Sequence, residues 1–102
     1  MKTYPLYLNG AWHVSSPFSE VVNPATGESL GQVSTVDRAR VAEAISDAHQ
    51  AFQSWRKLTG KSRGDFLLAI AVEVEKRKDD IARTITLENG KPLPQSFGEV
   101  AM

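Results

Sequence analysis

The stretch 21-VVNPATGESLGQVSTVDRARVAEAISDAHQAFQSW-55 contains the change of hydrophobic period on which the fold depends. Its first part places two short apolar segments on either side of NPATGE (23–28), whose proline and glycine favour a turn between strands. From Thr35 onward, apolar residues recur at spacings of four and three, which indicates a helix. The stretch therefore predicts a β-hairpin followed by a long helix over residues 35–57.

One face of the predicted first helix carries an apolar stripe. Its members are Val41, Ile45, Ala48, Phe52 and Trp55. Thr35 is the expected N-cap, and Asp37 places a carboxylate in the first turn, where the helix dipole stabilises a negative charge. Burial of the two aromatic residues would stabilise the fold strongly, because truncating one such residue to alanine typically costs about 3–5 kcal/mol.

The residues before this stretch predict an earlier hairpin. Asn9-Gly10 separates two apolar segments, and Asn-Gly is a strong signal for a two-residue hairpin turn because both residues tolerate positive φ. Leu6 and Leu8 would lie on the same face of the first strand. We therefore expect residues 1–34 to form β-hairpins, which need a larger sheet or helices to pack against because an isolated hairpin is marginally stable.

The C-terminal half predicts further helices. Thr59 can cap a helical segment over residues 59–90, whose apolar positions are Phe66, Leu67, Ile70, Val74, Ile81 and Ile85. The charge cluster EKRKDD (75–80) indicates either a solvated face or a short break between two helices. Residues 94–102 are expected to begin a further helix, so that residues 1–102 form one incomplete domain.

The Gly90-Lys91 pair raises the question of a phosphate-binding loop. A Walker-type loop requires a glycine five positions before the Gly-Lys pair and a serine or threonine after it. The chain has Ile85 and Pro92 at these positions, and proline offers no N–H group to a phosphate. We therefore expect Gly90 to adopt a left-handed conformation at a helix C-terminus, where Pro92 prevents continuation of the helix.

The composition argues against several classes of function. Lysine plus arginine equals aspartate plus glutamate, 12 against 12, so nothing electrostatic suggests nucleic acid or an anionic membrane as a partner. No apolar run could span a bilayer, and the N-terminus lacks the apolar segment of a signal peptide, so we expect a cytoplasmic protein. The chain contains no cysteine, no G-x-G-x-x-G and only two isolated histidines, His13 and His49. We therefore expect no catalytic or cofactor-binding residue in this chain.

Several segments, in order and at matching spacing, resemble the N-terminal region of the aldehyde dehydrogenase superfamily. LYLNGAW (6–12) looks like the opening strand-turn-strand, and VVNPATGESLGQV (21–33) is similar to the second hairpin. VAEAISDAHQAFQSWRKLT (41–59) looks like the first long helix, and residues 62–100 resemble the next helices with the Gly-Lys-Pro break. The resemblance implies an α/β fold, with N-terminal β-hairpins followed by two or three long helices, as part of an aldehyde dehydrogenase-like cofactor-binding domain.

The resemblance also implies a function for the complete enzyme. Members of the family oxidise an aldehyde to a carboxylic acid with NAD or NADP, and their cysteine nucleophile follows the matched region. SWRKLT (54–59) and DDIARTITLENGKPL (79–93) look closest to the succinate-semialdehyde dehydrogenase branch, so succinate semialdehyde is the expected substrate of the parent. Some members hold a monovalent cation, and the matching ligands here would be the Val22 carbonyl and the Glu99 carboxylate.

The chain alone is then expected to be a structural N-terminal segment. It would be inactive without a cysteine nucleophile and would bind no cofactor of its own, and its partner would be the remainder of the aldehyde dehydrogenase chain or another copy of itself. An alternative remains open, namely an independent, non-catalytic helical module for binding or self-assembly. In that case the hairpin edges and the helical apolar stripes would bury each other between copies.

Overall fold

The computed structural model describes residues 1–102 and contains five strands followed by four helices. The strands are β1 (Thr3–Tyr4), β2 (Leu6–Leu8), β3 (Ala11–His13), β4 (Phe18–Val22) and β5 (Ser29–Ser34). The helices are α1 (Arg38–Trp55), α2 (Gly60–Lys76), α3 (Lys78–Asn89) and α4 (Leu93–Ala101). The predicted α/β class, with hairpins before helices, is confirmed. The chain divides into two compact units, residues 1–21 with 31–59 and residues 22–30 with 60–102.

The hairpin predicted at Asn9-Gly10 is present as β2 and β3. Both turn residues have positive φ, 48° for Asn9 and 80° for Gly10, as a two-residue turn that matches the twist of the strands requires. The register places Leu8 opposite Ala11. Tyr7 and Trp12 are also opposite each other, and their ring centroids are 4.9 Å apart, so an aromatic pair stabilises this small two-stranded sheet.

A second sheet has the strand order β1-β5-β4. The parallel pairing of β1 with β5, in which Thr3 lies opposite Gln32, was not predicted. A side-chain hydrogen bond from Gln32 Nε2 to Thr3 Oγ1, 2.8 Å long, supports it. The close approach of β1 also depends on Gly31, because a Cβ at this position would lie 2.8 Å from the Lys2 carbonyl oxygen.

The start of α1 corrects the sequence prediction. Asp37, and not Thr35, is the N-cap: its carboxylate accepts a hydrogen bond of 2.8 Å from the Arg40 N–H. Thr35 is still engaged with the preceding backbone, because its N–H donates to the Ser15 carbonyl and its hydroxyl donates to the Pro17 carbonyl. The helix therefore begins at Arg38, three residues after the predicted start.

The remaining helix ends follow from local backbone chemistry. α2 begins directly after Thr59, and it ends within the charge cluster at residues 75–80, so that cluster is a break between two helices. Gly90 ends α3 in the left-handed conformation, with φ of 88°, and its N–H donates to the Thr86 carbonyl at 2.9 Å, as predicted. α4 begins at Leu93, directly after Pro92. None of the four helices combines the length and hydrophobicity that crossing a membrane requires.

Very few side chains are removed from solvent. α3 and α4 pack against each other around Ala82 and Ser96, which are fully buried, and the Thr86 and Ser96 hydroxyls form a hydrogen bond of 2.8 Å between the helices. Ser34 is the other buried polar residue, and its Oγ accepts a hydrogen bond from the Ser15 N–H at 3.2 Å. Ala82 is the only buried hydrophobic residue, and α1 and α2 contain no buried residue. The apolar stripe of α1 is thus exposed.

Gly31→Ala should destabilise the first unit. The added Cβ would meet the Lys2 carbonyl oxygen at 2.8 Å, and a φ of 150° is unfavourable for an L-residue. Strain of this kind costs on the order of 1–3 kcal/mol. Urea unfolding monitored by circular dichroism measures the change in the free energy of unfolding.

Gly98→Ala in α4 is the matched control for this substitution. A Cβ at residue 98 meets no atom within 4 Å, and alanine is preferred over glycine inside a helix by about 1 kcal/mol. The control should therefore be neutral or stabilising. Equal destabilisation by both substitutions would contradict the role assigned to Gly31.

Candidate functional site

The turn between α3 and α4 contains the Gly90-Lys91 pair. It is a helix stop: a Cβ on Gly90 would lie 3.2 Å from Pro24 Cγ, so a larger residue would press on the tip of the β4–β5 hairpin. The Lys91 ammonium donates to the Glu99 carboxylate of α4. Lys91 is therefore neutralised within the chain, and it joins the turn to the following helix.

The predicted cation ligands, Val22 and Glu99, lie at the end of β4 and in α4. Glu99 already has Lys91 as a cationic partner, so a monovalent cation would have to share this carboxylate with an ammonium group. The structure brings together no group of three or more His, Cys, Asp or Glu side chains that could hold a metal ion. The cation site stays a prediction.

A second Gly-Lys pair, Gly60-Lys61, lies at the start of α2. Gly60, Lys61 and Ser62 begin this helix, and the order Gly-Lys-Ser at a helix N-terminus is that of a phosphate loop. Trp55, however, stands where the first glycine of such a loop would be. The Lys61 ammonium is also 2.9 Å from the Asp65 carboxylate, one turn further along α2. Neither Gly-Lys pair therefore has the complete sequence of a phosphate loop.

The first unit contains an open groove of about 560 Å³. It is lined by Leu8, His13, Val14, Ser15, Ser16, Pro17, Thr35, Val36, Asp37 and Arg40. The hydroxyls of Ser15 and Thr35 both donate to backbone carbonyls, those of Ser16 and Pro17. A nucleophilic hydroxyl needs a side-chain base within hydrogen-bond reach, and neither hydroxyl has one.

The charged groups of this groove are also engaged within the chain. Asp37 caps α1, and Arg40 Nη1 is 3.2 Å from the Glu43 carboxylate and 3.9 Å from that of Asp47. Arg40 Nη1 is fully enclosed, and its contact with Glu43 lacks hydrogen-bond alignment, so the two groups form an ion pair only. Both charged residues that line the groove, Asp37 and Arg40, therefore already have partners within the chain.

Several other titratable groups form pairs on the helix surfaces. Lys78 Nζ donates a hydrogen bond of 2.9 Å to Glu75, and this hydrogen bond and the Glu75 charge raise the pKa of Lys78 above its usual value. Lys78 is thus paired with Glu75 on the helix surface. His49 Nε2 lies 3.2 Å from the Gln53 amide nitrogen on the surface of α1, away from any second metal ligand.

The apolar surfaces of α1 and α2 are the prominent unexplained feature. On α1, the side chains of Val41, Ile45 and Phe52 are exposed, and Ile45 is 66% accessible. On α2, exposed apolar residues follow one another over more than one face, and Leu68 is 67% accessible; they include Leu67, Leu68, Ile70, Val72 and Val74. A helix that is apolar on several faces is usually buried in a larger protein. These surfaces indicate contact with further protein.

A known protein family matches most of this chain. The family model described as "Aldehyde dehydrogenase family" matches residues 12–102. The chain belongs to the aldehyde dehydrogenase family. The resemblance inferred from the segment order is therefore confirmed.

Known aldehyde dehydrogenases match almost all of this chain. The malonate-semialdehyde dehydrogenase of Listeria monocytogenes serotype 4b is 41% identical over 96 residues, which is 92% of this chain and 20% of the relative. Succinate-semialdehyde dehydrogenase [NADP(+)] 2 of Schizosaccharomyces pombe is also 41% identical, over 97 residues, with the same coverage of each chain. The solved succinate-semialdehyde dehydrogenase from Burkholderia pseudomallei matches with a TM-score of 0.90 and 39% identity, covering 96% of this chain and 21% of that one.

The chain spans about a fifth of the length of the aldehyde dehydrogenases it matches. Malonate- and succinate-semialdehyde dehydrogenases match equally well, so the succinate-semialdehyde branch stays a prediction. As a member of the aldehyde dehydrogenase family without a cysteine, the chain contains no thiol that could attack an aldehyde. Its described contacts are consistent with a structural role.

The Lys91–Glu99 pair should be worth up to about 1 kcal/mol, as is typical of partly exposed ion pairs. A double-mutant cycle with Lys91→Met and Glu99→Gln measures the coupling energy by urea unfolding. We expect the coupling to decrease as salt is added, because screening weakens exposed pairs.

The Lys61–Asp65 pair is the matched control for this cycle. Its side chains are 84% and 60% exposed, whereas those of Lys91 and Glu99 are 29% and 52% exposed. We therefore expect a smaller coupling for the control pair. A coupling for Lys91–Glu99 that is no larger than that of the control would contradict its role in fixing the turn.

Proposed function

We propose that this chain is a structural segment of an NAD(P)-dependent aldehyde dehydrogenase that oxidises a short semialdehyde to a dicarboxylic acid. The observation that carries the proposal is the exposure of the apolar residues of α1 and α2, in a chain that matches about a fifth of each relative. The substrate class is supported by the printed names of the relatives, which act on malonate and succinate semialdehydes. The name of the Schizosaccharomyces pombe relative includes NADP(+), which supports a nicotinamide cofactor for the parent.

The energetics favour a segment that packs against the rest of an enzyme. Complete burial of one Leu, Ile or Val side chain contributes about 1.5–3 kcal/mol relative to exposure. Several such residues on α1 and α2 are more than half exposed in this chain, among them Ile45, Leu67, Leu68 and Ile70. Apolar surfaces of this extent mark contact sites between proteins or domains. The remainder of an aldehyde dehydrogenase chain is the partner that we propose.

The residues of this chain would cover and support the catalytic domain, and they would take no part in the reaction. In the complete enzyme, a nicotinamide cofactor would supply the hydride acceptor for oxidation of the aldehyde. The residues of this chain do not fit that cofactor, because neither Gly-Lys pair forms a phosphate loop and both lysines are paired with carboxylates. The two helices would instead cover the catalytic domain and exclude water from its surface, while the hairpins brace the contact.

The location and assembly of the parent are part of the same proposal. We propose that the parent is a cytoplasmic enzyme. A monovalent cation held by the Val22 carbonyl and Glu99 would belong to the parent as well. Self-association of the isolated chain is the competing outcome, and size measurement in solution separates it from the monomer expected of a segment.

The isolated 102-residue chain should show no oxidation of succinate semialdehyde with NAD or NADP, because it contains no cysteine. A chimaera in which this chain replaces the matching segment of the Burkholderia pseudomallei relative should be active. Reduction of the nicotinamide, followed by absorbance, measures both activities, and the relative with this segment deleted is the control. A folded but inactive chimaera, or turnover by the isolated chain, would refute the proposal.

Ile45→Gln and Leu68→Gln should change the free energy of unfolding less in the isolated chain than in the chimaera. In the isolated chain both side chains are exposed, so each substitution should change the free energy of unfolding by no more than about 0.5 kcal/mol. In the chimaera they would be buried, and each should cost at least about 2 kcal/mol. Thermal unfolding measures the change in the isolated chain and in the chimaera. Gln50→Ala on α1 is the control, and it should be neutral in both proteins. Small effects in the chimaera at both positions would show that these surfaces do not contact the catalytic domain.

A further inference from the structure

The chain contains two Asn-Gly dipeptides that lie in different backbone structures. Asn9-Gly10 forms the turn of the β2–β3 hairpin, and Asn89-Gly90 forms the end of α3. Both asparagines are exposed, so solvent access does not distinguish them. We propose that Asn9-Gly10 is a site of spontaneous deamidation, and that the backbone protects Asn89-Gly90 from the same reaction.

The chemistry requires only water and hydroxide. The Gly10 backbone nitrogen loses its proton to hydroxide and attacks Cγ of the Asn9 side chain. The new N–Cγ bond closes a five-membered succinimide, and ammonia leaves. Water then opens the ring at either carbonyl, which yields aspartate or isoaspartate at position 9. The reaction is fastest when glycine follows the asparagine, because no side chain hinders the attacking nitrogen.

The geometry at Asn9-Gly10 leaves the attacking Gly10 backbone nitrogen without a hydrogen bond. The Gly10 N–H donates no hydrogen bond, and an atom built at its Cβ position would meet nothing within 4 Å. The turn connects strands of only three residues each, in a sheet of two strands. An isolated two-stranded hairpin is marginally stable, so local opening lets the backbone of Asn9 reach the conformation that cyclisation needs.

At Asn89-Gly90, the corresponding backbone nitrogen of Gly90 is held by a hydrogen bond. The Gly90 N–H donates to the Thr86 carbonyl at 2.9 Å as the cap of α3, and Pro24 Cγ lies 3.2 Å from the Cβ position of Gly90. α3 also packs against α4, with the Thr86 and Ser96 hydroxyls 2.8 Å apart. Cyclisation would require loss of the cap and unwinding of the last turn of α3.

The two products at position 9 should affect the hairpin differently. Aspartate followed by glycine fits a turn with two positive φ values almost as well as Asn-Gly does. Isoaspartate inserts a methylene into the main chain between Leu8 and Ala11, which are opposite each other in the register. The isoaspartate product should therefore disturb the β2–β3 pairing and the Tyr7–Trp12 contact.

The test compares the two sites within one molecule. The full chain is incubated in mildly alkaline buffer, and a second sample is incubated in concentrated denaturant. After proteolysis, mass spectrometry of the two Asn-Gly peptides gives the rate at each site. In denaturant the rates should be similar, whereas in buffer Asn9 should react at least about tenfold faster, because the opening free energies of the two sites differ.

Asn9→Gln is the matched variant. Glutamine cyclises far more slowly, so the variant should lose the reaction at position 9 and leave the rate at Asn89 unchanged. Equal rates at the two sites in buffer, or a faster reaction at Asn89, would overturn the proposal. A chain that is unfolded in buffer would also give equal rates and would count against it.

Discussion

The exposure of the apolar side chains of α1 and α2 to water is the constraint that dominates the energetics of this structure. Fixing the backbone of one residue costs about 1–2 kcal/mol of conformational entropy, and burial of apolar surface is the main term that offsets it. Within this chain, Ala82 is the only buried hydrophobic residue, and α3 and α4 are the only helices with a buried residue. The chain belongs to the aldehyde dehydrogenase family, and the relatives that it matches are about five times as long as this chain.

Short-range interactions define the elements even where a core is lacking. Asp37 caps α1, Gly90 ends α3, and the Asn9-Gly10 turn sets the register of β2 with β3. Along α2, ion pairs between neighbouring turns add small increments, such as that of Lys61 with Asp65 at 2.9 Å. These contacts determine where each element begins and ends. They contribute little to the free energy that would hold one element against another.

The sequence was informative where one residue type has one conformational role. The turns at Asn9-Gly10 and Gly90 were predicted because glycine and asparagine accept positive φ and few other residues do. The cap of α1 was assigned to Thr35 instead of Asp37, because both residue types cap helices and only the Ser15 and Pro17 carbonyls decide between them. The pairing of β1 with β5 and the pairing of Lys91 with Glu99 depend on three-dimensional proximity, which no local pattern encodes.

The parallel pairing of β1 with β5 also orders events during synthesis. Thr3 lies opposite Gln32, so the first strand has no partner until the ribosome has released the second hairpin. Pairings between residues far apart in sequence form late, because the intervening loop must close first. Until then β1 offers an open strand edge.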